Sequence, residues 1–206
     1  DIIQRSIDKT LEISRLWPKA KPKMVVHLGG MSLNLLKQTS HGLDELSTHD
    51  EMMAIAIHNF KKLDFSPDAI DIIPENLPPR PWYLGGQWYQ YGFAPFSDMV
   101  KFCEATNLKM TYDICHAHLQ CEMEGSSLLD YTRRVMPYVS HMHISDATGI
   151  SGEGVQIFEG DLDFKGVFNI AEEYDFSWVT EIWSGHLHNG TASYKALSLL
   201  ESHFNL

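Results

Sequence analysis

Five short apolar runs in this chain each end in, or just before, a side chain that can ligate a metal. "KMVVH" ends at His27, "IIPEN" carries Glu75, "KMTYD" ends at Asp113, "VSHMHISD" carries His143 and "SWVTEIW" carries Glu181. Segments of helical character lie between them. "DIIQRSIDKTLEISRLWP" places Ile3, Ile7, Leu11 and Ile13 near helical spacing, and Pro18 stops it. "STHDEMMAIAIHNFKKL" opens with Thr48 three residues before Glu51, a capping-box pattern. "FSDMVKFCEATN", "SLLDYTRRVMPYV", "FKGVFNIAEEYD" and "TASYKALSLLESHF" read as further helices. Strands alternating with helices mean βαβ units and a parallel sheet. The intervals between the polar residues are 48, 38, 30 and 38 residues. A (β/α)8 barrel averages roughly 31 residues per unit, so each interval fits one or two units. In such a barrel all C-terminal strand ends open on one mouth, where these five side chains would converge.

Composition narrows the function. The 206 residues suffice for one domain, and 44% of them are hydrophobic. No apolar run nears the roughly 20 residues of a membrane span, and no secretory signal is visible, so a cytoplasmic protein with no membrane contact is expected. The net charge of −11 argues against nucleic acid as a partner, because phosphate tracking needs clustered Lys and Arg. Cys103, Cys115 and Cys121 are odd in number and lack zinc-knuckle spacing, which favours packing thiols in a reducing compartment.

The convergent set mixes carboxylates with imidazole, and that mixture suits one divalent ion among Mn, Zn, Co, Fe and Mg. Each member also has a plainer reading. Glu75 could be a loop carboxylate after Pro74. Asp113 could be a helix N-cap beside an ordinary histidine. His141 and His143 fall on one strand face, and His141 reads better as a hydrogen-bonded core residue. His118, His186 and His188 read as loop residues at the rim. Glu181 interrupts an apolar and aromatic strand, so it requires a partner.

The segments "VVHLGG", "IIPEN", "YDICHAH", "HMHISDATG", "GEGVQIFEGDLDF" and "VTEIWSGH" together resemble the xylose isomerase-like barrels, the sugar isomerases and epimerases that share a fold with endonuclease IV. The resemblance runs from about Lys23 to His186. It implies that Glu75, Asp113, His143 and Glu181 bind one divalent metal. It also implies that Glu75 and Glu181 move protons on opposite faces of a keto sugar, through an enediolate that the metal stabilises. His116, His186 and, at the rim, His27 are the expected substrate contacts. The Asp-x-His pair that endonuclease IV carries in the loop after the histidine strand has no counterpart here, and "ATGIS" lacks the arginine that epimerases often carry.

The same resemblance aligns "VVHLGG" with the third barrel strand, puts a short seventh strand near Val155 to Phe158, and makes "VTEIW" the eighth. The expectation is therefore one TIM-barrel domain over residues 1–206, N-terminally truncated, with the first two strands absent. A homo-oligomer or a preceding segment would close the barrel. The expected function is a metal-dependent isomerase or epimerase of a small sugar or sugar phosphate. The alternatives are an endonuclease IV-like phosphodiesterase on abasic DNA and a non-catalytic interaction barrel.

Overall fold

The computed structural model of the protein describes residues 2–32, 49–83 and 85–204. The proposed cap Thr48 lies outside them. Helix α1 (Ile2–Ser14) buries Ile7 and leads into strand β1 (Lys23–Val26). Strand β2 (Gly30–Ser32) and helix α2 (His49–Phe60) precede β3 (Asp71–Pro74). Three short strands follow, β4 (Trp82–Tyr83), β5 (Gly86–Gln87) and β6 (Tyr89–Tyr91), then helix α3 (Phe96–Thr106). The chain continues through β7 (Met110–Asp113), α4 (Ile114–Glu124), α5 (Leu128–Val135) and β8 (Val139–Ile144). A hairpin of β9 (Asp146–Thr148) and β10 (Gly152–Val155) is followed by α6 (Phe164–Ala171), β11 (Ser177–Thr180) and α7 (Leu187–His203). None of the described helices is long and apolar enough to cross a membrane.

Strands β1 and β3 pair in parallel, with Lys23 opposite Asp71 and Val26 opposite Pro74. A parallel bridge between Glu75 and Thr111 carries the sheet on to β7. β7 pairs with β8, and β8 with β11, again in parallel. The order β1-β3-β7-β8-β11 is that of an open TIM barrel, and among the described residues β1 and β11 are its two edges. Lys23 Nζ reaches across from β1 to Ser140 O and Ser177 Oγ, both at 2.7 Å.

Side chains alternate across a strand, and this decides what faces the mouth. Met110, Tyr112, Met142 and Ile144 are fully buried core residues, and Tyr112 bonds Thr132 of α5 at 2.8 Å. Each such burial stabilises the fold by about 1.5–3 kcal/mol. The alternate positions, Thr111, Asp113, His141 and His143, take the other face.

The seventh strand expected near Val155 to Phe158 is not formed. Val155 ends the antiparallel hairpin, the next residues turn, and β8 pairs directly with β11. The cause is Asp146, 1% exposed, whose carboxylate accepts the N–H groups of Ala147, Gly160 and Leu162 at 2.8, 2.9 and 3.1 Å. These bonds fold the segment back onto the end of β8. A Cβ at Gly160 would lie 2.3 Å from Ala147 O, so only glycine permits that approach.

Candidate metal centre

Glu75 follows β3 directly, and its N–H bonds Val26 O at 3.1 Å. Asp113 is the last residue of β7, and the register sets it beside His143 on β8. Glu181 follows β11, its N–H bonding Ile144 O at 3.0 Å. One ligand atom from each of Glu75, Asp113, His143 and Glu181 lies within 4.8 Å of all the others. His143 Nδ1 is 2.6 Å from Glu181 Oε2, 3.2 Å from Glu75 Oε1 and 4.0 Å from Asp113 Oδ2.

Those contacts lack hydrogen-bond geometry. Glu75 Oε1 and His143 Nδ1 are buried with no hydrogen-bond partner among the described residues. Buried polar atoms are rarely left so, because each costs about 1–3 kcal/mol. Three carboxylates and one imidazole nitrogen aimed at a common point fit a divalent cation of oxygen and nitrogen preference.

The electrostatics agree. Burial pushes the Asp113 carboxyl up, His116 opposes, and the charges of Glu75 and Glu181 add to the rise, to about 7. Burial also acts upward on Glu75, but contacts with His116, His143 and His27 outweigh it and hold that carboxyl well below its usual range. Contact with His143 lowers Glu181 against its burial. Burial disfavours charge on His143, yet Glu181 and Glu75 raise it to about 10.

Around this set stand further groups. His27 Nε2 is 2.9 Å from Glu75 Oε2, and the His27 side chain is 67% exposed. His116 is buried on α4, its Nδ1 facing Asn76 O at 2.9 Å and its Nε2 facing Glu153 Oε1 at 3.2 Å. His186 is exposed just ahead of α7, apart from this hydrogen-bonded group among the described residues.

Asp113 is the N-cap of α4, its Oδ1 accepting the His116 N–H at 2.9 Å, and is at the same time one of the four convergent residues. His141 is the hydrogen-bonded neighbour expected, with Nδ1 2.8 Å from Ser177 Oγ. Cys103, Cys115 and Cys121 are buried free thiols. His118 departs from expectation: it is buried within α4 rather than at the rim. Asn76 and Glu153 escaped the sequence reading. Asn76 is buried at the end of "IIPEN", where a polar residue beside Glu75 was the signal. Glu153 is the one acid of "GISGEGV", between two glycines that mark a turn.

A protein-family model for xylose isomerase-like TIM barrels matches residues 19–203. Among solved structures, the chain is similar to a D-tagatose 3-epimerase-like protein at TM-score 0.62 and 18% identity, covering 98% of this chain and 67% of that one. It is similar to an L-ribulose 3-epimerase at TM-score 0.58 and 13% identity, covering 97% and 66%. It is similar to a xylose isomerase domain protein from Planctomyces limnophilus at TM-score 0.54 and 17% identity, covering 95% and 64%. At these identities the likeness is one of fold, and the chain spans about two thirds of each structure. No curated protein matches the chain in sequence. With five parallel strands in barrel order and a family match over nearly the whole chain, the protein belongs to the xylose isomerase-like TIM barrel family.

Proposed function

We propose that the protein is a metal-dependent isomerase or epimerase of a small keto sugar, working by proton transfer at a carbon next to the carbonyl. The observation that carries this reading is the convergence of Glu75, Asp113, His143 and Glu181, in which Glu75 Oε1 and His143 Nδ1 are buried without a hydrogen bond among the described residues. A divalent cation held by these four residues would supply Lewis acidity to the sugar oxygens.

The chain's own residues do the rest. Glu181 is ionised and its side chain is 53% exposed, so it can reach substrate and take a proton as general base. Glu75, from a different strand, returns a proton. It is itself ionised, so that proton has to come from a neighbour. His27 is placed to give it, being hydrogen-bonded to Glu75 and open to solvent. Contact with Glu75 raises the His27 imidazole above its ordinary value, which favours its protonated form. His116 meets a substrate oxygen through Nε2 when that oxygen takes the place of Glu153, because Nδ1 is committed to the Asn76 carbonyl. His186 is assigned to the far end of the substrate at the rim.

The test is solvent deuterium. Incubation of the metal-loaded protein with a panel of ketoses in D₂O should place label at the carbon next to the carbonyl. Glu181→Gln should slow that exchange by about 10²–10⁴-fold. Full exchange in Glu181→Gln would remove the glutamate pair from the mechanism. Turnover without label would point instead to a hydride shift.

A further inference from the structure

The β9–β10 hairpin brings Glu153 to the mouth. Its register breaks between Gly152 and Val155, so Glu153 and Gly154 form a bulge that re-aims the side chain. Gly154 has φ +66°, and a Cβ there would lie 2.1 Å from Trp183 Cδ1. The Gly154 carbonyl accepts the Trp183 N–H at 2.9 Å, and the Gly154 N–H meets Cys115 Sγ at 3.5 Å. The bulge is thus fastened to α4 on one side and to the turn after Glu181 on the other. This holds Glu153 Oε1 3.2 Å from His116 Nε2, with the Glu153 side chain 21% exposed. Glu153 thus occupies the outward ring edge of His116, so any group that approaches that edge meets the Glu153 carboxylate.

We infer that Glu153 sets the substrate class, making the site select an uncharged polyhydroxy ketose and reject its phosphorylated counterpart. The inference rests on the sugar reading above and deepens it. An ionised carboxylate only accepts hydrogen bonds. A sugar hydroxyl can donate to it, whereas a phosphate dianion has no hydrogen to give and adds like charge at the same point. Among the described residues, the cationic partners in ion-pair contact with Glu75, Asp113, Glu181 and Glu153 are all imidazoles. The bidentate guanidinium that commonly grips a phosphate is absent from those contacts.

The experiment compares wild type, Glu153→Gln and Glu153→Asp, all loaded with Mn²⁺. The probes in calorimetric titration are inorganic phosphate, D-fructose and D-fructose 6-phosphate. Wild type should favour D-fructose over its phosphate. Glu153→Gln should tighten phosphate binding by about tenfold or more, and Glu153→Asp, which keeps the charge, should stay near wild type. Phosphate affinity equal in wild type and Glu153→Gln would overturn the inference, as would a wild type that favours the sugar phosphate. If no protein binds either sugar but phosphate still tightens in Glu153→Gln, the charge filter stands and the sugar reading fails. If wild type binds sugars with no discrimination, the filter fails and the sugar reading stands. Should Glu153→Gln not fold, the wild-type comparison of the two sugars still decides.

Discussion

The side chain of Asn76 pairs with the backbone of Asp113 as a neighbouring strand would. Asn76 Nδ2 donates to Asp113 O at 2.8 Å, and the Asp113 N–H donates to Asn76 Oδ1 at 2.8 Å. The amide extends the β3–β7 ladder past the point where β3 ends, and so fixes the height at which Asp113 leaves the sheet.

Asn76→Ala should leave two buried backbone groups of Asp113 unpaired. The expected cost is about 2–4 kcal/mol, read by denaturant unfolding. Affinity for Mn²⁺ should fall roughly 10- to 100-fold, because the ligand loses its support. Unchanged metal affinity in a folded Asn76→Ala variant would show that α4 alone positions Asp113.

Cation binding should strengthen with rising pH. Without a cation His143 holds its proton up to about 10, and Asp113 up to about 7. Both must release protons to become ligands. Apparent affinity should climb about tenfold per pH unit between pH 7 and 9, and more steeply below 7 where Asp113 contributes. Calorimetry in buffers of different ionisation enthalpy should count about one proton released per ion at pH 8. No release would exclude His143 Nδ1 as a ligand.

Asp113 should weaken the cation-free fold at alkaline pH. Its folded pKa, about 7, lies above the ordinary carboxylate value. The stability associated with its protonated form is therefore full below about pH 4 and is lost as pH rises through about 7. Asp113→Asn mimics the protonated form and keeps an oxygen to cap α4. At pH 8 it should stabilise the cation-free protein by on the order of 1–3 kcal/mol and abolish stabilisation by Mn²⁺. Thermal melts with and without metal measure both effects, and a lower melting temperature for cation-free Asp113→Asn would contradict this account.

Asp146→Ala should leave the Ala147, Gly160 and Leu162 N–H groups without their acceptor, at a cost of about 2–4 kcal/mol. The hairpin that bears Glu153 is rooted at the same residue, so hydrogen exchange should quicken across residues 146–162. Uniform protection over that stretch in the variant would mean that Cys115 and Trp183 hold the hairpin unaided.

The convergent set was legible because each strand ends where an apolar pattern gives way to a residue that cannot be buried alone. Glu181 in "SWVTEIW" is the clearest instance, and His143 Nδ1 is indeed its close neighbour. The direct pairing of β8 with β11 was not legible. It depends on Asp146 gathering donors up to 16 residues away, and no local pattern encodes that. Asn76 was missed for a related reason: an asparagine after a strand reads as a turn residue, whereas here its side chain substitutes for backbone. Glu153 owes its position to contacts with Cys115 and Trp183, both distant in the chain.

Asp113 ends β7 and caps α4, with no residue between the two elements. A connection of zero length leaves nowhere to place an insertion. One added residue would turn the carboxylate away from the mouth and uncap the helix in a single step. Length variation, whether by natural drift or by loop grafting, is therefore directed elsewhere around the rim. The segments between Leu77 and Phe96 and between Ile144 and Phe164 join their elements by many residues rather than none, and a change of length there would leave the β7–α4 junction and Asp113 in register.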